Sequence, residues 1–306
     1  MKNISRVLLL ALSAVLLLGT LTACDPSDYA ASDQIIIDAK DLSGYVGKED
    51  VVIIDMQDEE GYAAGHVPGA VNIQVSSVLV NLPVDNMLAS PAKVANVLGA
   101  AGISNSTQVV IYDEGRSLNA SRMWWTMLVY GHDNVKVVSG GVPAIQAAGV
   151  ELTAERPSIT PATFEVTDRR EEYVADMRTV QNQVDDPQEN VILLDVRSFE
   201  EYETEGKIPG SILYPHTKNF YSDGTLIDTQ ATRINYIEQG VRAENEIITY
   251  CRTSMRSAVT FLRLYDAGYR NIKMYDGAWL EWSSNPNNPI DIPEGGSVPH
   301  SSQDNS

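Results

Sequence analysis

Cys251 lies in the stretch TYCRTSMRSAVTFL (249–262), with Arg252 and Arg256 close behind it and Thr253, Ser254, Met255 and Ser257 filling the positions between and after them. A lone cysteine is commonly a small buried hydrophobe. A core thiol has no need of two cations and three hydroxyls within six residues, and no acid falls between 251 and 257. The thiolate is the nucleophilic form of cysteine, and a basic loop suits a small anionic reactant. If a helix begins here, arginines in its first turn oppose the helix dipole, so their placement invites an anion. Asp195 and Arg197 form a second candidate pair. Arg197 is expected either to bind donor oxygens beside the loop or to pair with Glu200 or Glu201, the two readings being balanced. Asp195 is expected to orient the loop rather than act as an acid. Trp279 and Trp282 are expected in the core or the cleft wall. The four histidines, His66, His132, His216 and His300, show no metal-ligand spacing. There is no CxxC, phosphate-loop or dinucleotide motif, so the sequence calls for no cofactor and no metal.

The elements that must position Cys251 can be read on either side of it. Ile247–Tyr250 is a short apolar run that reads as a buried strand. Ala258, Val259, Phe261, Leu262 and Tyr265 recur at helical spacing, and Gly268 stands where a C-terminal cap belongs. Cys251 is therefore expected on a strand–loop–helix turn at the carboxyl edge of a sheet, where α/β proteins bind ligands. Loop amides and a helix N-terminus can converge there on negative charge. The same grammar occurs twice. VVIIDMQDEEGYAAGHVPGAVNI (51–73) matches VILLDVRSFEEYETEGKIPGSIL (191–213), and residues 108–141 match 246–278. Strands alternating with helices imply two copies of an α/β domain with a mostly parallel sheet. The expected divisions are a leader at 1–23, a tether at 24–33, one domain at 34–150, a linker at 151–170, a second domain at 171–285 and a loose Pro-, Asn- and Ser-rich tail at 286–306.

GHVPGA (65–70), GKIPGS (206–211), DVRSFEEY (195–202), YCRTSMRSA (250–258) and YDGAWLEW (275–282), in this order across two halves, resemble a tandem rhodanese of the thiosulfate or 3-mercaptopyruvate sulfurtransferase type. The resemblance covers nearly all of residues 35–285. It implies about five parallel strands with flanking helices in each domain, and a carboxyl-terminal active loop whose amides surround a Cys251 persulfide. The substrate would be a small anionic sulfur donor, and the acceptor a thiol or cyanide. Arg197, Arg252, Thr253, Ser254, Met255, Arg256 and Ser257 are the expected donor-binding residues, and Asp195 the expected loop-orienting one. Two loop arginines favour thiosulfate over the singly charged mercaptopyruvate. Asp113 stands where Cys251 stands in the other half, and Gln57 where Arg197 stands, so the first half is expected to be inactive. Ser254 replaces a glycine common in the family, in a loop whose dihedrals glycine tolerates better. Two other readings stay open: a non-enzymatic binding module of the same fold, and, less favoured, a cysteine-dependent phosphatase, whose Arg would fall one position later than Arg256.

The whole chain bounds these readings. Its 306 residues suit about two domains, and 41 acids against 22 bases give a formal charge of −19, which argues against a nucleic-acid partner. Lys2 and Arg6 precede the apolar run 7–18, a signal-peptide pattern. LTAC (21–24) then resembles a bacterial lipobox, which implies cleavage before Cys24 and its lipidation, and hence a membrane-anchored lipoprotein in the extracytoplasmic cell envelope. Loss of Lys2 and Arg6 would take the charge from −19 to −21, leaving acyl chains rather than a basic patch to hold the membrane. Cys251 would then be the sole thiol, with no partner for an intramolecular disulfide.

Overall fold

The computed structural model describes residues 29–293 except 33 and 168. The expected leader, Cys24 and residues 294–306 of the expected tail lie outside the described residues.

The first half runs β1 (Ile36–Ile37), β2 (Val51–Asp55), α1 (Glu59–Ala64), β3 (Val71–Asn72), a small antiparallel pair β4 (Leu79–Val80) and β5 (Met87–Leu88), α2 (Pro91–Ala100), β6 (Gln108–Tyr112), α3 (Leu118–Val129), β7 (Val135–Val138) and α4 (Gly141–Ala147). The second runs β8 (Val174–Ala175), α5 (Met177–Asp185), β9 (Val191–Asp195), α6 (Phe199–Glu205), β10 (Ile212–Leu213), α7 (Thr229–Glu238), β11 (Glu246–Tyr250), α8 (Met255–Asp266), β12 (Ile272–Tyr275) and α9 (Ala278–Ser284). Each half forms a five-stranded parallel sheet, in the orders β1-β7-β6-β2-β3 and β10-β9-β11-β12-β8. The helices start where local chemistry predicts. Asp58, Ser90, Asp176 and Asp228 each accept a backbone N–H of the first helical turn, and Ser198 and Glu201 close a capping box on α6.

The register of the central strands is the same in both halves. Asp55 lies beside Tyr112, and Asp195 lies beside Tyr250. Each aspartate is thus carried to the strand end that feeds the critical turn, the turn of Asp113 in one half and of Cys251 in the other.

One apolar core runs through both halves. Residues 120–129 of α3 are all buried, a helix with no solvent face, and α8 packs against it. Trp124 lies 6.0 Å from Phe261 and 5.5 Å from Tyr265, centroid to centroid. The expected linker is packed onto the first half. Ala162 N–H donates to the Gly99 carbonyl, Arg170 N–H to that of Val129, and Phe164 is buried. Residues 286–293 of the expected tail are likewise pinned. The buried indole of Trp282 needs an acceptor and finds the Pro289 carbonyl at 2.9 Å, while Lys207 and Asp291 exchange backbone bonds at 2.9 and 3.0 Å.

Candidate active site

Cys251 follows β11 directly and has no exposed surface. Its carbonyl accepts the Trp279 N–H at 2.9 Å, and the Arg252 carbonyl accepts that of Leu280 at 3.1 Å, so the loop is stitched to the start of α9. Ser254 caps α8 in the left-handed region, at φ 61°. The serine expected to trouble the loop therefore adopts the very conformation that glycine favours. Met255 begins α8 and is partly buried, and the buried Ser257 donates from Oγ to Thr249 Oγ1 at 2.7 Å. Thr253 accepts from Ser254 Oγ through its carbonyl, at 2.7 Å.

The amides are the distinctive feature. From Arg252 to Ser257, six consecutive N–H groups have no acceptor among the described residues. Met255 to Ser257 open α8, where first-turn N–H groups have no partner within the helix, and the unpaired run continues back through the loop to Arg252, so these groups are available to an acceptor from outside the chain. The first half supplies an internal comparison. There the Asp113 carboxylate occupies the matching turn and accepts from Gly115 and Ser117 N–H at 3.0 Å each and from Ala120 N–H at 3.3 Å. Ser117, like Ser254, caps its helix in the left-handed region, at φ 52°. Between strand and helix this loop is one residue longer, 113–117 against 251–254. Burial pushes the Asp113 carboxyl up to about 6 despite the three amide bonds. The same fold of loop thus holds an oxyanion of its own in one half and leaves its N–H groups unpaired beside a cysteine in the other.

The loop arginines depart from the expectation of an uncompensated positive island. Arg256 forms a bidentate pair with Glu201, at 2.6 and 2.7 Å. Arg252 pairs with Glu205. Burial disfavours the Arg256 charge, but the hydrogen bonds to Glu201, together with the charges of Cys251 and Glu201, raise it above the ordinary value. Burial likewise opposes the Glu201 carboxylate, yet Arg256 and the Ser198 amide bring it down to about 2. Glu205 was not singled out from sequence, and Glu201 only as a possible partner of Arg197. Their signal was present, since they stand four apart on one face of α6, but nothing local says which cations that face meets. Nearby, burial and then the Arg256 charge lower the His216 imidazole to about 4.

Arg197 also departs from its expected donor-binding role. It is fully buried, and it pairs with neither Glu200 nor Glu201. Its Nε and Nη2 donate to the Asp195 carboxylate at 2.7 to 3.0 Å, and Nη2 donates to the Gly206 carbonyl at 2.6 Å. The guanidinium lies 4.3 Å from the Trp279 ring centroid. Gln57 makes the same two links in the first half, to Asp55 at 2.9 Å and to the Gly65 carbonyl at 3.3 Å. The position is a strut in both halves. Asp195 thus holds Arg197, which stacks on Trp279, whose amide donates to the Cys251 carbonyl. Arg197 also reaches Glu205, the partner of Arg252, at 3.5 Å.

A further residue comes from the other half. Arg122 of α3, with no exposed surface, donates from Nη1 to Ser254 Oγ at 2.9 Å.

Comparison with known proteins agrees with this architecture. The rhodanese-like domain model matches twice, at residues 38–148 and 177–285. The chain is 32% identical over 253 residues to the sulfur carrier protein TtuD of Thermus thermophilus, covering 75% of this chain and 86% of that one. It is 29% identical over 263 residues to thiosulfate/3-mercaptopyruvate sulfurtransferase 2 of Arabidopsis thaliana, covering 75% of each. Among solved structures, the anaerobic ergothioneine biosynthesis enzyme of Chlorobium limicola superposes with a TM-score of 0.75 at 20% identity, over 84% of this chain and 70% of that one, a likeness of fold.

Proposed function

The chain belongs to the rhodanese family, with two rhodanese-like domains in tandem, and from that premise we propose that it is a sulfurtransferase working through a persulfide on Cys251. The observation that carries the reading is the run of six amides, Arg252 to Ser257, unpaired among the described residues and directly following the sole described cysteine. In the first step the Cys251 thiolate attacks the outer sulfur of thiosulfate. The S–S bond of the donor breaks, sulfite leaves with the bonding pair, and Cys251 carries a terminal persulfide anion. In the second step a thiolate or cyanide attacks that terminal sulfur, and the Cys251 thiolate is regenerated. Preorganised N–H donors stabilise the anion at each stage without moving.

Pairing of both arginines with acids removes the basis for preferring a dianion on charge alone. Thiosulfate and 3-mercaptopyruvate are both donors of this site, and the amides rather than free guanidinium groups hold them. The paired Arg256 also disfavours phosphatase chemistry, which would need that cation for phosphate. The LTAC lipobox supports anchoring of the protein in a bacterial envelope through Cys24. Labelling cells with a fatty-acid probe tests this, since label retained by Cys24→Ser would remove the anchor. The activity is tested by incubating the protein with thiosulfate and measuring intact mass. One added sulfur atom is expected in the wild type and none in Cys251→Ser; an unchanged wild-type mass would leave the domain a binding module.

A further inference from the structure

The active loop is held partly by the half that has lost its own nucleophile. Arg122 lies in the first half, 132 residues before Ser254. Besides the bond to Ser254 Oγ, its Nη2 donates to the Asp276 carboxylate and to the Asn86 carbonyl, each at 2.8 Å, and its guanidinium stacks 4.7 Å from the Trp125 ring centroid. Asp276 in turn accepts the Leu88 N–H at 2.8 Å. A buried guanidinium is therefore fixed by four contacts, two from each half. Its remaining nitrogen, Nε, has no partner among the described residues.

Ser254 is the residue of the active loop with positive φ. A side chain in the left-handed region raises the energy of that conformation by about 1–2 kcal/mol, and it persists only where its surroundings hold it. Ser254 Oγ is buried, donates to the neighbouring Thr253 carbonyl and accepts from Arg122. The hydroxyl is thus fully paired only because the other half supplies the donor. We propose that Arg122 is a positioning residue for sulfur transfer, which locks Ser254 in the left-handed conformation and thereby aims the amides of residues 252–257 at the Cys251 sulfur. The first half is then a working part of the active site through this one guanidinium. The inference rests on the sulfurtransferase reading for its kinetic consequence, but not for its structural one.

Two variants cut the same bond from opposite sides. Arg122→Met removes the donor, and Ser254→Ala removes the acceptor while keeping a side chain at positive φ. Both are expected to lower kcat for thiosulfate roughly tenfold or more with KM little changed, because misaligned groups lose rate before they lose binding. Arg122→Lys, which can reach one of the partners, is expected to fall between. Amide hydrogen exchange, followed well below each variant's unfolding temperature, gives a readout independent of activity. Exchange at residues 252–257 is expected to quicken several-fold in both variants, while exchange in β11 stays as in the wild type. If Arg122→Met does not fold, Ser254→Ala carries the test. Wild-type kcat and wild-type loop exchange in Ser254→Ala would overturn the inference. Quickened loop exchange in a protein that never takes up sulfur would uphold it while overturning the sulfurtransferase reading.

Discussion

Asp113 and Cys251 occupy one position in two copies of a turn, and the difference between an oxygen anion and a sulfur decides what each copy can do. The carboxylate of Asp113 is bound by two amides of its own loop and one from the first turn of α3. Its pKa of about 6 stands above the ordinary 3.8, chiefly through burial. A group whose pKa is raised by folding contributes stability that is complete below its unfolded value and lost as pH rises through its folded value. The first half should therefore lose stability between about pH 4 and about pH 6 on account of Asp113, by an amount on the order of a few kcal/mol. Thermal unfolding of Asp113→Asn across that interval is expected to show a flatter pH profile than the wild type; identical slopes would show that Asp113 is not the group responsible. The loss of the nucleophile was legible in the sequence, because the two halves align through it. That the replacement would fill the cradle was not, since an aspartate after a strand is equally able to point outward. The strut role of Arg197 was half visible: the sequence placed it beside the strand-end Asp195, and only the buried partners Gly206 and Trp279 show that it faces inward.

Helix α6 sets the electrostatics of the loop from across the sheet edge. Ser198 caps it, Glu201 closes the box, and Glu201 and Glu205 then meet Arg256 and Arg252. Because the pKa of Glu201 is lowered to about 2, this pairing is complete above the ordinary carboxylate value of 4.5 and is lost only as pH falls toward 2. At neutral pH the arginines are not free to greet a donor. Glu201→Gln should release Arg256, and a partly exposed pair worth about 1 kcal/mol corresponds to a KM for thiosulfate roughly fivefold lower. Mercaptopyruvate, with a single negative charge, is expected to gain less. Steady-state comparison of the two donors decides the matter, and an unchanged ratio of kcat/KM values would mean that the cations take no part in donor choice. The helix itself was readable from its capping box. Its partners were not, because they lie 47 and 55 residues away and depend on how β9 and β11 are set side by side.

At the level of the whole molecule, the repeat gave away the fold while the junction stayed hidden. Two sheets of the same strand order could have been joined by a loose linker. Instead α3 is buried along residues 120–129 and meets Phe261 and Tyr265 of α8 through Trp124. The sequence hinted at this only in the run RMWWTMLV (122–129), which after its first residue is broken by Thr126 alone and is apolar on nearly every side of a helix. A fragment of residues 171–293 would expose that seam and lose the Arg122 contact with Ser254. It is expected to aggregate or to unfold well below the full chain in a thermal melt, where a fragment as stable as the parent would show the two halves to be independent.

The carboxylate that plugs the first cradle is attached to the chain that forms it, which has a consequence for traffic. A tethered ligand competes at an effective concentration in the millimolar range or above, without ever diffusing away. Dissolved oxyanions rarely displace such an occupant, so the duplicated turn cannot act as a decoy that sequesters incoming sulfur compounds. Of the two copies of the turn, one is moored to its own aspartate, and the other keeps its N–H groups unpaired among the described residues.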